Sequence, residues 1–450
     1  MKTPRYVEIY EQFKKMILEG RYEEHQKLPS KRKLGETLKV SPLTIEVAYL
    51  QLIAEGYVYA IEKKGYFVSK KVEQRLSQES QKDKVMKPHV KKDYLYSFET
   101  NVVDTTLFPN ATWAKLSREA ISENHHEMLN HTPVQGLDLL RREISKYLAL
   151  YRGIDVSEDQ IIIGSGSTSL ISMIVEIIGR DAHYAIEKPG YSRIEQLLMS
   201  NDVNLEHITV DHEGLSVENL KKRPIQAVHV TPSHQFPTGV VMPISRRIEL
   251  LNWAMENDSY VIEDDYDSEF RFQGKPIPAL FGLDQNDRVI YMNTFSKSLA
   301  PSLRMSYMVL PKHLLSCYEG ISSYHGCTVP TFDQYVLYKF MNGGYFERHI
   351  NRMRNHYREK LDWIRRYVQP YAWLDLHGDE AGLHFMMEVK TGLKSQVLKD
   401  LLEEKSIQLS VIDHDILYQH PCLVIGYSGI PKDQLNASFD ALFETINPKT

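Results

Sequence analysis

Between Lys70 and Asp93 the chain runs Lys-Lys-Val-Glu-Gln-Arg-Leu-Ser-Gln-Glu-Ser-Gln-Lys-Asp-Lys and onward, polar, poorly periodic and rich in lysine. A helix there would have few apolar residues with which to dock, so the segments on its two sides must each build a core of their own. At 450 residues the chain is in any case too long for one ordinary core. Three parts are expected: residues 1–70, a flexible linker at 71–93, and residues 94–450. Charge divides at the same place. Residues 1–71 hold 14 Lys+Arg against 9 Asp+Glu, a net of +5, and the remaining 40 against 50 give −10, summing to −5. The basic end is where a polyanion would bind.

Within that end, Tyr6, Tyr10, Phe13 and Ile17 recur at helical spacing until Gly20 stops the pattern. Ser30 can cap a short helix from Lys31 to about Leu38. Ser41 can cap a third, with Pro42 at its first position and Val47, Leu50 and Ile53 as its buried stripe. Tyr57–Ile61 and Tyr66–Val68 read as two strands around a turn at 62–65, which completes a winged helix-turn-helix. Leu28-Pro29-Ser30-Lys31-Arg32, Val40-Ser41, Thr44 and Lys63-Lys64-Gly65-Tyr66-Phe67-Val68 resemble the DNA-binding domain of GntR-type bacterial regulators over about residues 6–70. The resemblance implies double-stranded operator DNA as partner. The third helix would lie in the major groove with Ser41 and Thr44 near bases or phosphates, and Lys31, Arg32, Lys63 and Lys64 would hold the backbone. Pro42 and Glu46 stand where that pattern commonly has arginines.

From Tyr94 onward, apolar strands alternate with amphipathic helices, the texture of an α/β domain with a mainly parallel sheet. One strand, Gln160–Ile163, breaks at Gly164-Ser165-Gly166-Ser167-Thr168 before an apolar helix, and such a start makes an anion site from backbone N–H groups and the helix dipole. Another ends in Glu263-Asp264-Asp265-Tyr266-Asp267, where Asp264 and Tyr266, two apart, point to one face if extended. A third delivers Thr294-Phe295-Ser296-Lys297-Ser298, with Arg304 seven residues beyond the lysine. A lysine between hydroxyls, an arginine and a carboxylate from an earlier strand suit a phosphorylated pyridine aldehyde, pyridoxal 5'-phosphate (PLP).

Together these segments resemble the fold-type I aminotransferases over roughly residues 95–445. The resemblance implies large and small subdomains, with Lys297 as the amine that condenses with the aldehyde, Asp264 at the pyridine nitrogen and Tyr266 at the ring oxygen. Tyr191 would stack on the ring, and Ser167, Thr168, Ser296 and Arg304 would surround the phosphate. Phe236 occupies the place of an asparagine that usually lies beside the ring oxygen.

A GntR-like winged helix joined to an aminotransferase-like domain is the architecture of the MocR family, and the whole chain resembles it, most of all its γ-aminobutyrate-responsive members. That resemblance implies a cytoplasmic homodimer whose second domain senses PLP and a small amino compound instead of turning substrates over, with Arg193 on the effector carboxylate. The second carboxylate-binding arginine of those members falls on Gly429, a loss of a contact worth about 1.5 to 3 kcal/mol. Sensing of PLP alone, as in members that control vitamin B6 synthesis, stays open. The rival from another class is an active aminotransferase with a DNA-binding appendage. Lys297 permits imine chemistry, but turnover also needs two substrates oriented in succession.

Arginines 348, 352, 354, 358, 365 and 366 mark a long basic helix, expected to present a solvated face. Cys317, Cys327 and Cys422 are too scattered for a disulfide framework or a zinc site, and no metal is expected. No apolar run reaches the 18 or so residues of a membrane span, so a soluble protein is expected.

Overall fold

A computed structural model describes residues 4–69, 93–124, 126–273, 277–322, 326–413 and 417–447. Contacts divide the chain into two compact units, Met1–Lys91 and Lys92–Thr450. The expected linker, apart from Asp93, lies outside the described residues.

In the first unit, α1 (Arg5–Leu18), α2 (Lys31–Leu38) and α3 (Pro42–Ala54) precede a hairpin of β1 (Val58–Ile61) and β2 (Gly65–Val68), paired antiparallel with Val58 opposite Val68. Both expected caps form: Ser30 accepts from the Lys33 amide at 3.3 Å and Ser41 from the Thr44 amide at 3.2 Å. Such a cap contributes about 1 kcal/mol. The core is Ile9, Tyr10, Phe13 and Ile17 of α1 against Ile45, Ala48, Tyr49 and Leu52 of α3, closed by Val58 and Val68. The expected stripe on α3 is therefore corrected. Val47 and Leu50 are 40% and 54% exposed, and Tyr6 of α1 is also at the surface. Because α3 is apolar nearly all round, its periodicity could not say which side meets α1.

The second unit is built on an eight-stranded sheet. Its members are β3 (Ile161–Gly164), β4 (His183–Lys188), β5 (Asn204–Asp211), β6 (Gly214–Leu215), β7 (Ala227–Val230), β8 (Tyr260–Asp264), β9 (Val289–Thr294) and β10 (Ser306–Val309). Their spatial order is β3-β10-β9-β8-β7-β4-β5-β6. The pairs from β9 through β8, β7 and β4 to β5 are parallel, whereas β10 runs antiparallel to both its neighbours. Both faces are covered: Ile161 and Ile163 enter one core while Ile162 enters another, as period-2 alternation requires. Helix α4 (Ser167–Ile178) follows β3, and a single helical turn, α5 (Phe295–Ser298), follows β9.

A 24-residue helix, α6 (Tyr345–Val368), leads to an antiparallel sheet of β11 (Leu374–His377), β12 (His384–Val389), β13 (Ser410–Ile412) and β14 (Cys422–Gly426), in the order β11-β12-β14-β13. Tyr357, Leu361 and Ile364 of α6 pack into the core of this smaller layer. The expected solvated basic face of α6 is corrected in part. Arg354 donates to the Glu269 carbonyl at 2.9 Å, Arg365 to Asp379 at 2.6 Å and Arg352 to the Leu107 carbonyl at 2.5 Å. These arginines tie α6 to neighbouring backbone that a sequence pattern does not display.

Candidate functional site

Strands β3, β4, β7, β8 and β9 all end at one edge of the sheet, where open α/β folds gather ligands. A cavity of about 150 Å³ lies there, lined among others by Gly166, Ser167, Tyr191, Arg193, Asp264, Tyr266, Ser296, Lys297 and Arg304. Of the residues expected around a cofactor, only Thr168 does not line it, standing instead in the first turn of α4.

Lys297 sits one turn beyond β9 because Thr294 caps that turn, accepting from the Ser296 amide at 3.1 Å. Its Nζ donates to the Thr100 carbonyl at 2.5 Å and lies 3.4 Å from Asn101 Oδ1. Burial lowers the pKa of Lys297 to about 8 against the opposing pull of Asp267, so a sizeable fraction of the amine is neutral and nucleophilic near pH 8.

The acidic segment alternates as expected. Asp264 faces the cavity, with His229 Nε2 at 3.4 Å and no good hydrogen-bond geometry between them. Glu263 and Asp265 turn the other way. Glu263 accepts from the Leu280 and Phe281 amides at 2.8 and 3.0 Å, and Asp265 pairs with Arg152 at 2.7 Å and accepts from Tyr291 at 2.7 Å. Tyr266 departs from expectation in one respect: its hydroxyl donates to the His234 carbonyl at 2.9 Å, which leaves lone pairs and not a proton for the cavity.

At the start of α4, Gly166 has φ of 89°, and a Cβ there would come within 2.7 Å of Arg304 Nη2. Arg304 also donates to the Ser165 carbonyl at 3.1 Å. The arginine and the unpaired first amides of the helix thus share one small cradle. Tyr191 receives a hydrogen bond from Asn101 at 3.2 Å and meets the Phe236 ring edge-on at 5.2 Å. Gly429 lies outside the cavity lining, and a Cβ on it would fall 2.7 Å from Val102 Cγ1.

Several neighbours of the site are invisible in the sequence. Thr100 and Asn101 reach Lys297 from almost 200 positions away and His384 arrives from the smaller layer, so no local pattern could announce them. His384 is 2% exposed and its Nε2 has no partner, while burial and nearby His234 and Lys297 hold its pKa well below the usual range. With His234 and Asp267 it also forms a cluster of metal-ligating atoms within 4.8 Å of one another, which the scattered sequence positions conceal. Both ring nitrogens of His234 already have partners, Asp267 at 3.0 Å and the Gly378 carbonyl at 3.2 Å.

On the first unit, Arg32 is fully presented, its side chain 90% exposed, and Lys63 and Lys64 are exposed in the β1–β2 turn. Lys31 is not free in this way: its Nζ is bound to Glu46 at 2.6 Å. Ser41 and Thr44 share a 2.8 Å hydrogen bond at the start of α3.

Comparison with known proteins agrees with this division. Residues 5–68 match the model for bacterial regulatory proteins of the gntR family, and residues 97–442 that for aminotransferase class I and II. The chain is 35% identical to the uncharacterized HTH-type transcriptional regulator YdeL of Bacillus subtilis, over 98% of this chain and 96% of that one. It is 30% identical to the pyridoxine biosynthesis transcriptional regulator PdxR of Corynebacterium glutamicum, over 84% and 82%. Among solved structures, a kynurenine aminotransferase from Pyrococcus horikoshii in complex with PMP superposes with a TM-score of 0.71 at 26% identity, covering 80% of this chain and 92% of that one.

The cofactor of this domain is PLP, and the cavity fits it: a partly neutral amine, a carboxylate without a strong partner and an arginine beside a helix start converge in it. Among the described residues, no helix is long and apolar enough to cross a membrane. With a GntR winged helix at one end and an aminotransferase fold at the other, the chain belongs to the MocR family of DNA-binding transcription regulators.

Proposed function

We propose that the protein is a PLP-dependent regulator whose aminotransferase-like unit serves as the receptor for PLP together with a small amino compound, and that occupancy alters how a homodimer engages operator DNA. The observation that carries this reading is Lys297, a partly buried amine with its pKa lowered to about 8, in a cavity that also holds Asp264 and Arg304. PLP supplies an electrophilic aldehyde and an electron-withdrawing ring. Lys297 would hold that aldehyde, Asp264 would keep a proton on the ring nitrogen, and Tyr191 would stack on the ring. Ser167, Ser296 and Arg304, with the first amides of α4, that of Thr168 among them, would bind the phosphate. Arg193 is the cation left for an effector carboxylate.

Rearrangement around that cavity would bias the placement of two winged helices on two half-sites, a population shift driven by differential affinity. A second reading is favoured by one feature. Val102 occupies the space beside Gly429, where an arginine would complete a carboxylate clamp, so PLP alone serves as the signal in that case.

Purified protein, PLP, and amines such as γ-aminobutyrate, followed by visible absorbance and operator binding, separate the two. A response of both readouts to the amine supports the first reading, and a response to PLP alone supports the second. Steady keto-acid production at ordinary enzymatic rates would overturn both in favour of an aminotransferase.

A further inference from the structure

The outward face of α3 is apolar. Leu43, Val47 and Leu50 are 68%, 40% and 54% exposed, and Ala54 is exposed below them. The spacing i, i+4, i+7, i+11 places all four in one narrow stripe. The opposite face, Ile45, Ala48, Tyr49 and Leu52, is completely buried, so the helix is not rotated out of its core. Single exposed apolar residues need no explanation, but an aligned row of them on the most basic part of a chain does.

The polar side chains of α3 are already engaged. Thr44 is bonded to Ser41 at 2.8 Å, Glu46 to Lys31 at 2.6 Å, and Gln51 donates to Glu55 at 3.0 Å. The helix contains no arginine, lysine or asparagine. Gln51 is the one residue of α3 that could read adenine with paired hydrogen bonds, and it lies beside the stripe with its amide turned to Glu55, so the stripe itself has no such reader. The apolar feature on the floor of the major groove is the thymine C5 methyl. Arg32 and Lys33 on α2, Lys39 just after it, and Lys63 and Lys64 in the β1–β2 turn are exposed and supply the charge that phosphates require.

We propose that α3 recognises its operator through thymine methyl groups, with Leu43 and Val47 as the first contacts and Leu50 behind them, so that the half-site core is built of A·T pairs. The inference rests on the reading of the first unit as a DNA-binding domain, and the experiment separates the two. Full-length protein with PLP selects from a pool of random duplexes, and each dT of the selected sequence is then replaced by dU, which removes only the methyl. Affinity is followed by fluorescence anisotropy at fixed salt.

One or more half-site positions should weaken by roughly three- to tenfold on loss of the methyl. Leu43→Ala with Val47→Ala should erase that dT/dU difference, whereas Arg32→Gln should weaken all duplexes alike and preserve it. A selected core of G·C pairs, indifference to dU at every position, or a dT/dU difference that survives the double substitution would overturn the inference while leaving DNA binding intact. Failure to enrich any duplex would overturn both.

Discussion

Four consecutive residues, Glu263 to Tyr266, display two opposite uses of the same chemistry. Glu263 and Asp265 point into the protein, where two amides meet the first and Arg152 and Tyr291 meet the second. Asp264 and Tyr266 point to the cavity, and His229 lies 3.4 Å from Asp264 in poor hydrogen-bond geometry. Burial alone would raise Asp265, but Arg152 and the hydrogen bonds of its neighbours more than offset it and hold its carboxyl low. A buried charge must be matched inside the protein, whereas one at a cavity wall can wait for a ligand. An internal cation and hydroxyl on Asp265 Oδ2, although Oδ1 has no partner, are thus what separate the structural carboxylate from the binding one.

The comparison breaks most visibly under substitution. Arg152→Met strands the Asp265 charge and should cost about 3 to 5 kcal/mol in denaturant unfolding. Asp264→Asn should cost less than about 1 kcal/mol in the same assay, while weakening PLP binding in an absorbance titration. Equal losses of stability would erase the distinction between the two faces.

Protonation sharpens it further. The nucleophile is the neutral amine, so capture of PLP by Lys297 in cofactor-free protein should accelerate as pH rises from 6 and level off above about 8. Asp267 favours the charged amine, and Asp267→Asn should move that rise to lower pH. Stopped-flow absorbance across pH checks both statements, and a rise that continues unchanged to pH 10 would contradict them.

Smaller effects are expected at the margins. Gly429→Arg must displace Val102, so it should lose about 1 to 3 kcal/mol in thermal unfolding. Adding Val102→Ala should recover part of that loss. On the first unit, Arg32→Gln should lower the salt slope of DNA binding by about one, whereas Lys31→Gln, already paired with Glu46, should change that slope less.

How much of the molecule is legible in the sequence depends on the range of each signal. The winged helix, the sheet and the facing of Asp264 with Tyr266 rest on short-range periodicity and caps, and the sequence displays both. The orientation of α3 is not legible, because an all-apolar helix has no polar face to mark the outside. Thr100, Asn101 and His384 leave no trace at all, since the fold alone brings them to Lys297. Lys31 reads as a free cation in the sequence because its partner Glu46 lies on the next helix.

The central claim is that the Lys297 cavity is the receptor end of a DNA switch. The direct test is titration of PLP into cofactor-free full-length protein and its Lys297→Ala variant, each bound to a duplex selected by the protein, with DNA affinity as the readout. The account predicts that PLP shifts the affinity of the first protein and leaves the variant, which still binds DNA, unmoved. An equal PLP response in both would contradict it.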